Sequence, residues 1–192
     1  DRYEGAGRYD RIGPVVWQGV WIGLSATPLL LATIALAPAI FGWVGHEPSL
    51  ASLEVQYYTI VTLGGGGLLI AAALSTFFTG RGATETVMLV DSATAVLNVL
   101  LDYAWIFGRG GLPPLGIVGA AGATAVSQWA RAAAYGLLMA LPRYRQKYLL
   151  ARRWQLDFAL MRRIWRYGGP NGLQFLAEYG AFTAFVLMVG WL

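Results

Sequence analysis

An apolar stretch near the middle of the chain, residues 84–108, carries three polar side chains in its interior. They are Asp91, Asn98 and Asp102, and steps of seven and four residues place them within an arc of about 40° on a helix. Because a charge near the bilayer centre costs about 2.5–3.5 kcal/mol, membrane helices rarely present carboxylates to lipid. The pattern therefore predicts a membrane helix whose polar face lines a cavity.

A second predicted helix brings a hydroxyl group to the same depth. Counted at about 1.5 Å per residue from the turn at 109–116, Asp102 lies about 9 Å and Thr124 about 10 Å into its helix. The short turn makes the two helices antiparallel neighbours. Carboxylate, amide and hydroxyl oxygens suit a proton or Na⁺ rather than a soft transition metal. The sequence therefore predicts a cation site at Asn98, Asp102 and Thr124, with any Na⁺ held at Asn98 and Asp102.

Glu178 is a fourth candidate for cation coupling. It lies about 12 Å into the last apolar stretch, counted from the opposite side of the membrane. A carboxyl group that takes up a proton on one side of a membrane and releases it on the other meets the physical requirement for ion-coupled transport. Further cavity-lining candidates are Asp91, Gln128 and Gln174.

Each candidate also has a purely structural interpretation. Intramembrane polar groups form interhelical hydrogen bonds as well as binding sites. The alternatives are an anchor near the membrane surface for Asp102, an interhelical hydrogen bond for Asn98, helix packing for Thr124, a buried neutral acid for Glu178, and solvation or pairing with Arg81 for Asp91. Arg131 is expected to pair with an acid or to face water.

The composition indicates a membrane protein. Of 192 residues, 57% are hydrophobic and 12% are charged, about half the charged fraction of a soluble domain. Apolar runs predict an all-α, polytopic membrane helix bundle with five spans, at about 15–44, 55–79, 86–108, 117–141 and 170–192. The glycines at 19, 23 and 64–67 are expected to allow close helix packing. The absence of cysteine excludes disulfides and thiolate metal sites, and the lone His46 predicts no metal site.

Lys and Arg are distributed unevenly between the two predicted membrane faces. Residues 1–11, the turn after the second span and residues 142–169 hold three, one and eight of them, whereas the opposite loops hold none and one. The positive-inside rule places the N-terminal loop and 142–169 in the cytoplasm of a multi-pass inner or plasma membrane protein. This bias explains the net charge of +4 without a nucleic-acid partner. Within 142–169, an amphipathic helix at 158–167 is predicted to stop at Gly168, Gly169 and Pro170, where the fifth span begins.

Several strings resemble the MATE (multidrug and toxic compound extrusion) family, in the family's order. They are A-L-S-T-F-F-T-G-R-G-A-T-E-T-V-M at 73–88, L-N-V-L-L-D-Y-A-W-I-F-G at 97–108, P-P-L-G-I-V-G-A-A-G-A-T-A-V-S-Q at 113–128, R-Y-G-G-P-N-G-L-Q-F-L-A-E-Y-G-A-F at 166–182, and the opening E-G-A-G-R-Y-D-R. The resemblance implies a fragment covering about the third to seventh of twelve helices. Residues 1–141 then belong to the N-terminal lobe, 142–169 to a cytoplasmic connector, and 170–192 to the truncated first helix of the C-terminal lobe.

The resemblance implies a secondary active antiporter, not an enzyme, that exports organic, cationic or amphipathic compounds in exchange for H⁺ or Na⁺. No cofactor beyond the coupling ion is implied, and the expected partners are the bilayer and small organic substrates, with a monomer as the full-length form. Asn98 and Asp102 correspond to the family's cation site on the fifth helix, Thr124 to the sixth, and Glu178 to the acid of the seventh. The family's first-helix Asp lies outside this chain, and Asp91 and the glycines at 64–67 depart from the expected pattern.

Three other functions are compatible with some of these features. A lipid-linked saccharide flippase of the same superfamily would need a more cationic cavity than this acidic face provides. A membrane-embedded transferase would hold Mg²⁺ with closely spaced acids at a membrane face, in a DxxxD-like motif that the sequence lacks. A non-transporting structural subunit would not need three carboxylates inside its spans. The antiporter is therefore the leading hypothesis.

Overall fold

The computed structural model describes residues 12–45, 47–109, 111, 113–148 and 154–190. The regular elements in these ranges are all helical, which confirms the all-α class. Seven α-helices occur in order: α1 Ile12–Ala32, α2 Ala37–Val44, α3 Pro48–Thr79, α4 Thr84–Ile106, α5 Ile117–Ala140, α6 Pro142–Lys147 and α7 Phe158–Gly190. The N-terminal loop at 1–11, His46 and residues 149–153 of the connector lie outside the described residues.

Among the described residues, three segments are long and apolar enough to cross a membrane. They are Ile12–Val44, in which a 3₁₀ turn at Thr33–Leu36 joins α1 to α2, then Pro48–Thr79 and Thr84–Ile106. Helix α5 has 24 residues and is long enough to span, at about 36 Å, but it does not reach the same apolarity because it carries Gln128 and Arg131. The fourth and fifth spans therefore stay predictions.

The chain divides into two compact units, with Gln155 ending the first and Leu156 beginning the second. In the first unit, α3 and α5 are the central helices. Helix α3 packs against α1, α2 and α5, and α4 packs mainly on the other side of α5. The spatial order α1, α3, α5, α4 differs from the chain order, and it places α4 and α5, the two helices with polar faces, side by side.

The glycines at 64–67 fit α3 between its two neighbours. A Cβ on Gly64 would lie 2.6 Å from the Cα of Ala125 on α5, and one on Gly67 would lie 2.9 Å from the backbone nitrogen of Trp129. On the other side, a Cβ on Gly66 would lie 2.9 Å from Cγ2 of Thr27 on α1. These separations are shorter than van der Waals contact, so the packing interpretation of the run is confirmed. The sequence of α3 alone does not explain this run of glycines, because the residues that it packs against lie on α1 and α5.

Aromatic rings surround Arg81 just after the C-terminal end of α3; they belong to Phe77, Phe78, Tyr144 and Tyr148. The guanidinium of Arg81 lies 4.2 Å from the ring centroid of Phe77 and 4.6 Å from that of Tyr144, and its Nε donates a 3.1 Å hydrogen bond to the carbonyl of Phe77. Such cation–π contacts stabilise a charge in apolar surroundings. Arg81 therefore joins α3 to α6, and the alternative in which it pairs with Asp91 is wrong.

Trp154 and Gln155, which follow α6 in the chain, contact α1. The amide of Gln18, a fully buried residue, donates to the carbonyl of Gln155 at 2.9 Å, and the indole of Trp21 donates to the carbonyl of Trp154 at 2.8 Å. Buried polar side chains need such partners. The described end of the connector is thereby fixed to the first turns of the first predicted span.

The second unit consists of α7, a helix of 33 residues that contains Pro170. Asp157 caps its start, since Oδ1 accepts hydrogen bonds from the backbone nitrogens of Ala159 and Leu160 at 2.9 and 3.1 Å. The predicted helix end at residues 168–170 is wrong. Glycine stops a helix in the left-handed conformation, whereas both glycines here are helical, and the hydrogen bond lost at Pro170 is a cost that membrane helices tolerate.

Candidate functional site

A polar cavity of about 200 Å³ lies between α4 and α5. Each helix contributes one face, with residues three, four and seven positions apart. The lining residues are Asp91, Thr94, Ala95 and Asn98 from α4, and Thr124, Ser127, Gln128 and Arg131 from α5. The helices are antiparallel, so Asp91 faces Arg131 at what we call the ion-pair end. Asn98 and Thr124 lie at the other end, which we call the hairpin end.

The connection between the helices sets this alignment. The backbone nitrogen of Leu115 donates to the carbonyl of Trp105 at 2.9 Å, which fixes the start of α5 against the end of α4. A Cβ on Gly119 would lie only 2.8 Å from the carbonyl carbon of Trp105. Because Gly119 has no side chain, the two helices can approach closely at the hairpin and hold their polar faces in register.

The hairpin end contains the predicted Asn98 and Thr124. The hydroxyl of Thr124 donates to the carbonyl of Ala120 at 3.0 Å, which leaves its oxygen lone pairs able to accept. The side-chain nitrogen of Asn98 is buried and has no hydrogen-bond partner among the described residues. Buried polar atoms without partners are rare. The Asn98 nitrogen can donate to a water or ligand, and the Asn98 side-chain oxygen is the atom that could bind a cation.

Asp102 lies one helical turn beyond Asn98, toward the hairpin. It is not among the residues that line the cavity, but it is half-buried on the same face of α4. Its Oδ1 atom is buried without a partner in the described part of the chain. An unpartnered carboxylate oxygen is more costly than an unpartnered neutral group, so this atom is the strongest indication of a bound cation or proton.

The ion-pair end joins α4 to α5 through three contacts. The Nε and Nη2 atoms of Arg131 lie 2.8 Å from Oδ1 and 3.1 Å from Oδ2 of Asp91. The hydroxyl of Tyr135, a fully buried residue, donates to Oδ1 at 2.8 Å. The side chains of Asp91 and Arg131 are 39% and 26% exposed. Arg131 was predicted to pair with an acid or to face water, and the acid is Asp91. The depth count that sets Thr124 level with Asp102 sets Arg131 level with residues 94 and 95, about one turn from Asp91.

The middle of the cavity has room for water. The Ser127 hydroxyl and the Gln128 side-chain oxygen are buried without partners among the described residues. Since a water molecule occupies about 30 Å³ in the liquid, the cavity can hold several, bridging these atoms to both ends. Gln128, predicted as a lining residue, therefore lies on the cavity. Ser127 was not singled out, although it adjoins Gln128 on the same helical face.

Glu178 and Gln174 lie in the second unit, on one face of α7. The amide of Gln174 donates to Oε1 of Glu178 at 3.1 Å, a pair spaced by one helical turn. Both side chains are exposed within their own unit. The predicted roles of Glu178 in cation coupling and of Gln174 in lining a cavity stay predictions.

Known proteins resemble this chain over most of its length. Residues 2–104 match the family model MatE. The chain is 29% identical over 188 residues to the probable multidrug resistance protein NorM of Neisseria meningitidis, covering 96% of this chain and 41% of that protein. It is 30% identical over 188 residues to the probable NorM protein of Rhizobium meliloti, covering 97% and 40%. The crystal structure of the eukaryotic MATE transporter AtDTX14 matches with a TM-score of 0.82 at 21% identity, covering 97% of this chain and 40% of that chain.

The chain thus spans about two fifths of the length of these relatives. The match to the solved structure shows the fold, a MATE-type bundle of membrane helices. The family model covers more than half of the sequence and includes α4 up to Ala104, with the acidic face from which the site is built. The resemblance stated from the sequence is confirmed, and the chain belongs to the MatE family of membrane proteins.

Proposed function

We propose that the protein containing this chain is a secondary active antiporter that exports organic, cationic or amphipathic compounds in exchange for H⁺ or Na⁺. The observation that carries the proposal is the hairpin end of the cavity, which Asn98 and Thr124 line. One helical turn from Asn98, on the same face of α4, Asp102 has a buried carboxylate oxygen without a hydrogen-bond partner among the described residues. The relatives named multidrug resistance protein NorM and the solved MATE transporter support it. The alternative flippase would need a cationic cavity, which the neutralised Arg131 does not supply.

The coupling follows from the charge of Asp102. A proton or Na⁺ bound there cancels a carboxylate charge that has no counter-ion within the described residues, while Asn98 and Thr124 offer further oxygen atoms. A cation drives a conformational change only if it binds one state more tightly than the other. We propose that cation binding at this end, or at Glu178, favours one of two access states, and that substrate export returns the protein to the other.

Gradient-driven transport tests this proposal. The full-length protein is reconstituted in proteoliposomes, and accumulation of a fluorescent organic cation is followed under an imposed Na⁺ or pH gradient of either direction. We expect accumulation that needs one of the two gradients, reverses with its direction and stops when an ionophore dissipates it. Accumulation that is indifferent to both gradients would contradict antiport.

We also propose a membrane orientation in which the N-terminal loop and residues 142–169 lie in the cytoplasm. The basic residues of α6 and of the first half of α7 support it, because cytoplasmic loops carry an excess of Lys and Arg. We propose further that the protein is a multi-pass inner or plasma membrane protein. Its full-length form is proposed to be a monomer.

Single cysteines can test the orientation, since this chain has none of its own. In a Cys-free background, we expect Arg109→Cys to react with a membrane-impermeant maleimide in intact cells. Arg145→Cys should react only after the membrane is permeabilised, because α6 then lies on the cytoplasmic side. Labelling of Arg145→Cys in intact cells, with Arg109→Cys protected, would reverse the topology.

A further inference from the structure

The carboxylate of Asp91 is already paired with a cation and a hydroxyl group, which occupy three of its about four acceptor positions. Its Oδ1 is contacted by Nε of Arg131 and by the hydroxyl of Tyr135, each at 2.8 Å, and its Oδ2 accepts from Nη2 of Arg131 at 3.1 Å. Arg131 and Tyr135 are the charged and titratable groups that contact Asp91 within the described residues. The carboxylate and guanidinium charges cancel, so the ion-pair end of the cavity is close to neutral although it contains two ionised groups.

The ion-pair end and the hairpin end share one polar space. Asp91 precedes Asn98 by seven residues and Arg131 follows Thr124 by seven, so about 10 Å separates the two ends along both helices. The intervening positions are lined by Thr94 and Gln128 rather than by an apolar plug. A charge at one end therefore acts on a cation at the other through a polar cavity.

The size of that effect can be estimated. Along α4, Asp91 lies about 10 Å from Asn98 and about 16 Å from Asp102. At the effective dielectric constant of about 20 that suits protein sites, a unit charge at these distances changes the affinity for a cation by roughly five- to tenfold. A paired Asp91 and Arg131 contribute little at this distance because their charges have opposite sign. If Asp91 lost its charge, the remaining guanidinium would repel a cation at the hairpin end. If Arg131 lost its charge, the remaining carboxylate would attract one.

We infer that the Asp91–Arg131 pair sets the affinity of the hairpin end for the coupling cation, by holding the net charge of the ion-pair end at zero. Asp91 and Arg131 are thus positioning residues that tune the cation site without touching the cation. The inference rests on the proposed antiport. It also explains why a third acid can lie on the polar face of α4 without adding a second cation site.

A double-mutant cycle tests the inference. In proteoliposomes containing the full-length protein, the Na⁺ or H⁺ concentration for half-maximal uptake of a fluorescent organic cation is measured for each variant. We expect Asp91→Asn to raise that concentration about five- to tenfold and Arg131→Gln to lower it by a similar factor. The double variant Asp91→Asn/Arg131→Gln should return to within about threefold of the unmodified protein, because its ion-pair end is again neutral.

The opposite signs distinguish charge tuning from a structural brace. If the pair only held α4 against α5, both single variants would weaken cation dependence in the same direction and the double variant would not recover; that result overturns the inference. The inference is also overturned if neither single variant changes the cation concentration for half-maximal uptake. Where a single variant fails to elute as a monodisperse protein, the double variant and the swap Asp91→Arg/Arg131→Asp carry the test, since neither leaves an unpaired charge. A change of more than about threefold in either one overturns the inference.

The same data separate this inference from the proposed function. Uptake by the unmodified protein that depends on neither Na⁺ nor H⁺ overturns the antiport proposal and this inference with it. Cation-dependent uptake without opposite shifts in the single variants leaves antiport standing and overturns this inference alone.

Discussion

Asp102→Asn is expected to lower the affinity for the coupling cation by at least about 100-fold and to abolish gradient-driven export. The substitution keeps the size of the side chain and one oxygen atom, but it removes the negative charge. A unit charge about 4 Å from a cation contributes about 4 kcal/mol at an effective dielectric constant of 20, which corresponds to a factor of about 1,000. The estimate of 100-fold allows for the oxygen that Asn retains.

The matched control is Glu85→Gln, which makes the same change in the first turn of the same helix. Glu85 is exposed and does not line the cavity, so its loss should leave the cation dependence within about twofold. The measurement is the cation concentration for half-maximal uptake in proteoliposomes, with protein amounts matched. Equal behaviour of the two variants would remove Asp102 from the coupling mechanism. The parallel Glu178→Gln variant reports whether the acid of α7 is also needed.

The second large effect is expected from Gly64→Ala, on stability rather than on transport. The new methyl carbon would lie 2.6 Å from Cα of Ala125 and 3.0 Å from its Cβ, and backbone atoms cannot rotate away as a side-chain tip can. The helices α3 and α5 must therefore separate to admit the methyl group. Overpacking of this kind lowers the stability by about 1–3 kcal/mol. Because α5 also carries half of the cavity lining, the cavity should change shape as the protein loses stability.

We expect the apparent Tm of the full-length protein in detergent, followed by tryptophan fluorescence, to fall by about 2–6 °C. Two controls use the same substitution at other glycines. The new methyl group of Gly65→Ala would contact the end of the Leu30 side chain, which can rotate away, and that of Gly136→Ala would have no atom within 4 Å. Gly136→Ala should hold or raise the Tm, because Ala favours a helix by up to about 1 kcal/mol over Gly. A Gly64→Ala protein as stable as the Gly136→Ala protein would mean that α3 and α5 are not in close contact.

Much of the site was predictable because helical periodicity is local. The arc of Asp91, Asn98 and Asp102 follows from residue spacing, and a depth count from one short turn set Asp102 level with Thr124, whereas in the structure Asn98 lies at the same end of the cavity as Thr124. Extended by seven residues, the same count sets Arg131 level with residues 94 and 95, about one turn short of Asp91. Asp91 also lies near a predicted membrane surface, where water and Arg81 are alternative partners.

Other features depend on information that the local sequence does not carry. The glycines at 64–67 look like a weak point in α3 until the backbone of α5 and Thr27 of α1 are placed against them. The sequence Gly-Gly-Pro usually marks a helix boundary, so the sequence alone does not predict that α7 continues through Pro170. The backbone of Gly168 and Gly169 could equally take a helical conformation, as it does here.

The central claim is that the hairpin end of the α4–α5 cavity binds the coupling cation. Direct equilibrium binding to the purified full-length protein tests it without relying on transport, using ²²Na⁺ retention and, in parallel, proton release reported by a pH indicator when Na⁺ or substrate is added. The account predicts saturable Na⁺ binding or stoichiometric proton exchange that survives Glu85→Gln and disappears in Asp102→Asn. Undiminished binding or proton exchange in a well-folded Asp102→Asn protein would contradict it.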